Sequence, residues 1–350
     1  MIDALNIDLL SEVCMTPGAP GYESRIRALV LSELEGHAEE VCIDNMGNVV
    51  AVKKGRDSSK KVMVTAHMDE IGFIVTHIDD RGFVRFHTLG GFDPKTLTAQ
   101  RVIIHGRKDL LGVMGSKPIH VMSPEERNKV TKIKDYFIDL GLPKEEVEKH
   151  VRIGDTITRE RDLVELGDNV CCKSIDNRVS VYMLLETMKN VQNPAYDLYG
   201  VFTVQEEVGL RGAHVSAHDV KPDFGINLDT TVAYDLPGAG DHERITSMGA
   251  GAGVKVMDSG TICDYRMVDY LRGLAEKYKI NHQMEVLTAG GTDTAGVQRM
   301  TPGGSIAGAI SIPTRYLHQV IEMASKQDIL DSLSLLKAAV EGLDEYDWSF

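Results

Sequence analysis

Two histidines and five carboxylates occupy positions from which a folded chain can hold cations. Residues 61–66 (KVMVTA) run into His67, Met68 and Asp69; residues 198–204 (LYGVFTV) run into Gln205, Glu206 and Glu207; residues 224–228 (FGINL) run into Asp229. Each apolar run reads as a strand buried on both faces. Ligands of open α/β sheets bind just past the carboxyl ends of such strands. Three strands would therefore deliver one imidazole and several carboxylates to a single edge. Singly these signals are weak, because an H-x-D or a pair of glutamates usually belongs to a solvated face and an Asp at a strand end commonly forms a turn. Jointly they weigh more, since charges seldom follow buried strands directly unless paired or coordinated.

Asp176 and His318 extend the set. Asp176 stands in the KSIDNR segment just before a helical stretch at 179–188 (VSVYMLLETM). It reads either as an N-cap or as a carboxylate shared by two metal ions. His318, taken alone, reads as a surface histidine. Two divalent ions need nitrogen and oxygen ligands with a water between them, and a His, Asp, Asp, Glu, His set with one glutamate to spare supplies that. Imidazole with carboxylate suits zinc, cobalt or manganese better than a thiolate or all-oxygen site does. The spare glutamate would take the proton of the water.

Strands alternating with helices around these residues argue for a three-layer α/β/α domain. Ile26, Leu29, Val30 and Leu34 share one helix face that Gly36 can end, and Ile329, Leu333, Leu336 and Val340 share another that Gly342 can end. Between residues 70 and 165 the pattern changes. Short β-like segments (IGFIVTHI, GFVRFHTL, RVIIHGRK, LLGVMGS) alternate with turns, and one helical stretch is expected over 130–140, with Ile133, Phe137 and Leu140 on one face. Strand-dense sequence interrupting an α/β pattern predicts a small inserted β-barrel-like domain over 70–165, which divides the first domain into 1–69 and 166–350.

Composition narrows the partners. The 350 residues are 43% hydrophobic and 26% charged, and 38 Lys plus Arg against 52 Asp plus Glu give a net charge of −14. Such a chain is globular, repels phosphate backbones and anionic lipid, and is expected to bind neither nucleic acid nor membrane. No apolar run reaches the ~18 residues of a membrane helix. Two aspartates precede any Lys or Arg at the N-terminus, the wrong start for a secretory leader, so a cytoplasmic location is expected. The five cysteines lack C-x-x-C spacing and read as thiols in a reducing compartment. The glycine-rich stretches 249–253 (GAGAG) and 289–296 (AGGTDTAG) carry no nucleotide-loop pattern and read either as plain turns or as substrate-loop turns.

The segments TAHMDEIG (from Thr65), IDNR (from Ile175), QEEVGLRGA (Gln205 to Ala213), LD (Leu228, Asp229) and YLH (to His318) occur in the order and spacing of one group. Over essentially its whole length the chain resembles the M42-family metallo-aminopeptidases, the tetrahedral TET and glutamyl aminopeptidase group; QEEVGLRGA is the most specific segment. The resemblance implies a dinuclear-metal peptidase domain with a PDZ-like β insert in dimer contacts. It also implies a homododecamer acting in the cytosol on small peptides with a free N-terminus. His67 and Asp229 would bind one metal, Glu207 and His318 the other, and Asp176 both. Glu206 would be the general base and acid, and Asp69 would orient His67 from behind. Gln319-Val320 and Ser180 depart from the residues common in the family and bear on the substrate pocket rather than on the metals. Two rivals stand beside this reading. One is an endoglucanase-like glycosidase using Glu206 and Glu207, which leaves the histidines and aspartates unexplained. The other is a non-catalytic assembly protein stabilised by its metals, for which a spare glutamate has no purpose.

Overall fold

The computed structural model describes residues 4–350; residues 1–3, the start of the segment read for a leader, lie outside the described residues. The chain opens with α1 (Ile7–Met15), whose first turn is capped by the Asn6 side chain accepting from the Leu9 N–H. In α2 (Ser24–Glu33), Ile26 and Val30 face inward and Gly36 follows at φ +76°, a conformation that favours glycine. Strands β1 (Glu40–Ile43), β2 (Val49–Lys53) and β3 (Asp57–His67) follow.

The chain then leaves this layer and builds a closed barrel. Its strands are β4 (Gly72–Ile78), β5 (Val84–Leu89), β6 (Arg101–His105), β7 (Asp109–Gly115), β8 (Phe137–Asp139) and β9 (Thr156–Arg159), closed in the order β4-β5-β8-β7-β6-β9. Phe73, Val102, Ile104, Met114, Ile138 and Ile157 fill its interior from alternate strand positions. The helix expected over 130–140 is absent. Those residues form a 3-10 turn at Ile133–Asp135 and strand β8, and the helices of this unit are α3 (Pro124–Arg127) and α4 (Lys144–His150). Ile133, Phe137 and Leu140 do keep helical spacing, but Ile138 pairs with Val84 on one side and Met114 on the other, and closing the barrel outweighs local periodicity.

After the barrel come β10 (Val164–Leu166), β11 (Asn169–Cys172), α5 (Ile175–Asn190), β12 (Tyr196–Thr203), α6 (Arg211–Val220), β13 (Phe224–Val232), β14 (Ala252–Met257), α7 (Tyr265–Tyr278), β15 (His282–Val286), α8 (Thr294–Met300), β16 (Ile306–Arg315), β17 (Glu322–Ser325) and α9 (Lys326–Gly342). The main sheet runs β1-β2-β12-β3-β13-β16-β17-β11-β10, with β14 and β15 joined through β16. Its centre, β12-β3-β13-β16, is parallel. Strand alternation sends Val62, Val64 and Ala66 into a core shared with α1, α5, α7 and α9, and Met63 into a second core shared with α6 and α8 on the opposite face. The architecture is thus three-layered. Leu184 and Leu185 of α5 are fully buried, each contributing roughly 1.5–3 kcal/mol.

Candidate metal centre

The central parallel strands and the loops around them converge at one edge of the sheet. His67 is the last residue of β3, in register with Thr203 at the end of β12. Glu206 and Glu207 sit in the loop between β12 and α6. Asp229 lies inside β13 rather than after it, because β13 continues to Val232 against β16. The β3–β13 ladder nevertheless stops at Thr65–Asn227, so His67 and Asp229 stand two residues past its last pair. His318 occupies the turn between β16 and β17 at φ +56°. Asp176 follows the N-cap residue Ser174 in a non-helical conformation (φ −74°, ψ 110°). Its carboxylate caps no helix, as the alternative reading required, and faces two imidazoles instead.

The distances between these groups are those of a shared site. His67 Nε2 lies 3.4 Å from Asp176 Oδ1, 3.8 Å from Asp229 Oδ1 and 3.8 Å from Glu206 Oε2. His318 Nε2 lies 3.3 Å from Asp176 Oδ2 and 3.5 Å from Glu207 Oε2. Two ligands at about 2.1 Å from a tetrahedral ion stand about 3.4 Å apart, so both groups match the spacing of metal ligands. Among the described residues, His67/Asp176/Asp229, Asp176/Glu207/His318 and His67/Glu206/Glu207 are the groups that could hold an ion. Glu207 Oε1 is buried with no hydrogen-bond partner. The donor set fits hard-to-borderline divalent ions.

Electrostatics point the same way. Burial pushes the Glu206 carboxyl well above its ordinary range, Glu207 to about 7 and Asp229 to about 8, and neighbouring carboxylates add to each shift. Burial opposes the charge of Asp176 too, yet hydrogen bonds from His318 and His67 hold its carboxyl well below the usual range. Against burial, Glu207 and Asp176 raise His318 to about 10. A divalent cation at this point would relieve the crowding of negative charge.

Backbone contacts fix the loops that carry these groups. His67 Nδ1 lies 3.0 Å from the Asp69 carbonyl and 3.4 Å from its carboxylate. A proton on Nδ1 is thereby satisfied and Nε2 left free to coordinate. The Asp69 carboxylate accepts the backbone N–H groups of both Glu206 and Glu207, at 3.0 and 3.1 Å. The cavity beside these residues measures about 510 Å³ and is lined further by Thr231, Val232, Lys255, Asp258, Leu287 and Leu317. Gly290, Gly291 and Thr292 also line it. The GAGAG stretch does not: its Gly249 and Gly251 N–H groups donate to Asp328 at the start of α9. The motifs above omit several buried charges, among them Asp293, which accepts from Thr203 Oγ1 at 2.5 Å, and Arg159, Lys255 and Glu322. Only Asp293 had a sequence signal, its place in the AGGTDTAG stretch.

The M42 glutamyl aminopeptidase family matches residues 47–335. The chain belongs to that family. The lysyl aminopeptidase of Pyrococcus furiosus is 33% identical over 98% of this chain and 99% of its own. An aminopeptidase from the archaeon Desulfurococcus kamchatkensis superimposes with a TM-score of 0.92 at 37% identity, covering 96% of this chain and 94% of that one. The TET1 peptidase of Pyrococcus horikoshii, which can assemble into a tetrahedron or a large octahedral shell, gives 0.85 at 30% identity over 95% and 98%. This M42 chain is therefore a hydrolase acting at the N-termini of peptides. No helix among its described residues is long and apolar enough to cross a membrane.

Proposed function

We infer that the chain removes N-terminal residues from small peptides with two divalent ions, zinc, cobalt or manganese, held by His67 and Asp229 on one side and by Glu207 and His318 on the other. Asp176 is shared between them. The observation that carries this reading is the Asp176 carboxylate, whose Oδ1 faces His67 and whose Oδ2 faces His318. Bound there, such ions supply Lewis acidity towards a peptide carbonyl and towards water. Glu206, facing His67 from the cavity side, accepts a proton from water and returns it to the departing amine. Asp69 orients His67 and ties the Glu206–Glu207 backbone to it. The carboxylates around the cavity favour the ammonium of a free N-terminus over a blocked one. A Glu206/Glu207 glycosidase leaves His67, Asp176, Asp229 and His318 without a task.

The division into 1–69 with 166–350 and an insert over 70–165, the cytoplasmic location and self-assembly to a dodecamer belong to the same reading. Its support for assembly is the similarity to the Pyrococcus horikoshii TET1 peptidase.

Glu206→Gln decides the chemistry. It is expected to retain two ions by elemental analysis while kcat on an unblocked aminoacyl substrate falls by at least about 100-fold, and wild-type protein is expected to leave the N-acetylated substrate intact. Near wild-type turnover in Glu206→Gln would overturn the base assignment; chelator-insensitive hydrolysis of cellulose would favour the glycosidase.

A further inference from the structure

Asp176 and His318 come from a helix start and a turn that lie far apart in the sequence, and neither backbone has helical or strand conformation. Asp176 is non-helical at φ −74°, ψ 110°, and His318 sits at φ +56°, a region that costs a non-glycine residue free energy unless its surroundings enforce it. One side chain meets both backbones. Glu322, the first residue of β17 and fully buried, accepts the Asp176 N–H at Oε2 (2.8 Å) and the His318 N–H at Oε1 (3.2 Å).

Glu322 is approached in turn from the barrel. Arg159, at the end of β9 and 1% exposed, places Nη1 4.0 Å from Glu322 Oε1 and donates from it to the Gln319 carbonyl, inside the His318 turn. Its Nη2 lies 3.9 Å from Glu70, the carboxylate that receives Lys173 at 2.5 Å, and its guanidinium lies over the Phe92 ring at 5.8 Å. Arg159 Nε and Nη2 have no hydrogen-bond partner, so the guanidinium is held here by charge and packing more than by satisfied donors.

We propose that Glu322 is a positioning residue that sets the spacing of Asp176 and His318, and that Arg159 of the barrel holds it in place. The role rests on the metal-site reading above. Asp69 does the same for Glu206 and Glu207 on the opposite flank, so each flank has one carboxylate that accepts two backbone N–H groups. Ligands must be held within about 0.5 Å of productive geometry, and a single carboxylate with one acceptor oxygen per ligand backbone fixes their relative position directly. The barrel thereby contributes to the site without touching substrate.

The test is titration of the metal-free full-length protein with zinc ion alone, read by competition with a chromophoric chelator. In Glu322→Gln one oxygen becomes a donor that faces an N–H, and zinc affinity is expected to fall about 10- to 100-fold, the range seen when groups behind a metal ligand are removed. Activity, where measured, should lose kcat with little change in KM. Arg159→Met should weaken zinc binding and Arg159→Lys should recover part of the loss, each titrated at a temperature where the metal-free variant is fully folded. Wild-type zinc affinity in Glu322→Gln, or a loss that only follows the unfolded fraction, overturns the proposal. Should Glu322→Gln not fold, Arg159→Met decides by the same two outcomes. No peptide enters this titration, so a wild-type chain that binds zinc and cleaves nothing would refute the aminopeptidase reading and leave this one standing.

Discussion

In the proposed metal site, protons and cations would compete for the same atoms. Burial raises Glu207 to about 7 and Asp229 to about 8, so near neutral pH a cation must displace protons before it can bind. Raising the pH removes that competition. Zinc affinity of the metal-free chain should therefore increase from pH 6 to pH 8 with net proton release, checked by titration calorimetry in two buffers of different ionisation heat; a pH-independent affinity would contradict the assignment. The sign for stability is opposite. Asp229 binds its proton more tightly folded (about 8) than at its ordinary value of 3.8, so without metal it costs stability progressively as pH rises from about 4 to about 8. The types of these residues were legible in the sequence because strand ends marked them. Glu322 and Arg159 were not, because an acceptor of two backbone N–H groups carries no motif.

The loop between β12 and α6 shows how elements hold such residues. Asn48, just before β2, accepts the Val204 N–H and donates to the Gly212 carbonyl, both at 3.0 Å, while the Gly212 N–H donates to the Val204 carbonyl. The segment carrying Glu206 and Glu207 is thus clamped at both ends. A Cβ on Gly212 would lie 2.3 Å from Asn48 Oδ1 and 2.5 Å from the Val204 carbonyl, so the clamp itself requires glycine. Gly212→Ala should destabilise the fold by about 1–3 kcal/mol in chemical denaturation; an unchanged midpoint would show that the clamp gives way easily. This glycine belongs to QEEVGLRGA, where sequence showed a motif but not its packing reason. The stretch 130–140 is the converse, with a helical period in the sequence and a barrel strand in the fold.

For the molecule as a whole, the two ions of the proposed site, held by residues from β3, β13, the start of α5 and the loops after β12 and β16, would tie the sheet edge together. These segments are close only in the folded chain, so binding adds to stability as RT ln(1 + [L]/Kd). At a thousandfold excess over Kd the gain is about 4 kcal/mol, and chelation should lower the thermal midpoint by several degrees, recovered on adding zinc. Equal midpoints with and without chelator would mean that no ion is held. The net charge of −14 makes the chain a better host for cations than for polyanions.

The sequence by itself determined the chemistry on offer: imidazole and carboxylate at strand ends, the period of the covering helices, and the strand-dense insert. These are local properties, set by residue type and spacing. Tertiary structure decided which oxygen of Asp176 faces which histidine, that Asp229 lies within its strand, and that an arginine of the barrel reaches the His318 turn. Each of these depends on contacts between residues far apart in the chain, which packing alone brings within reach.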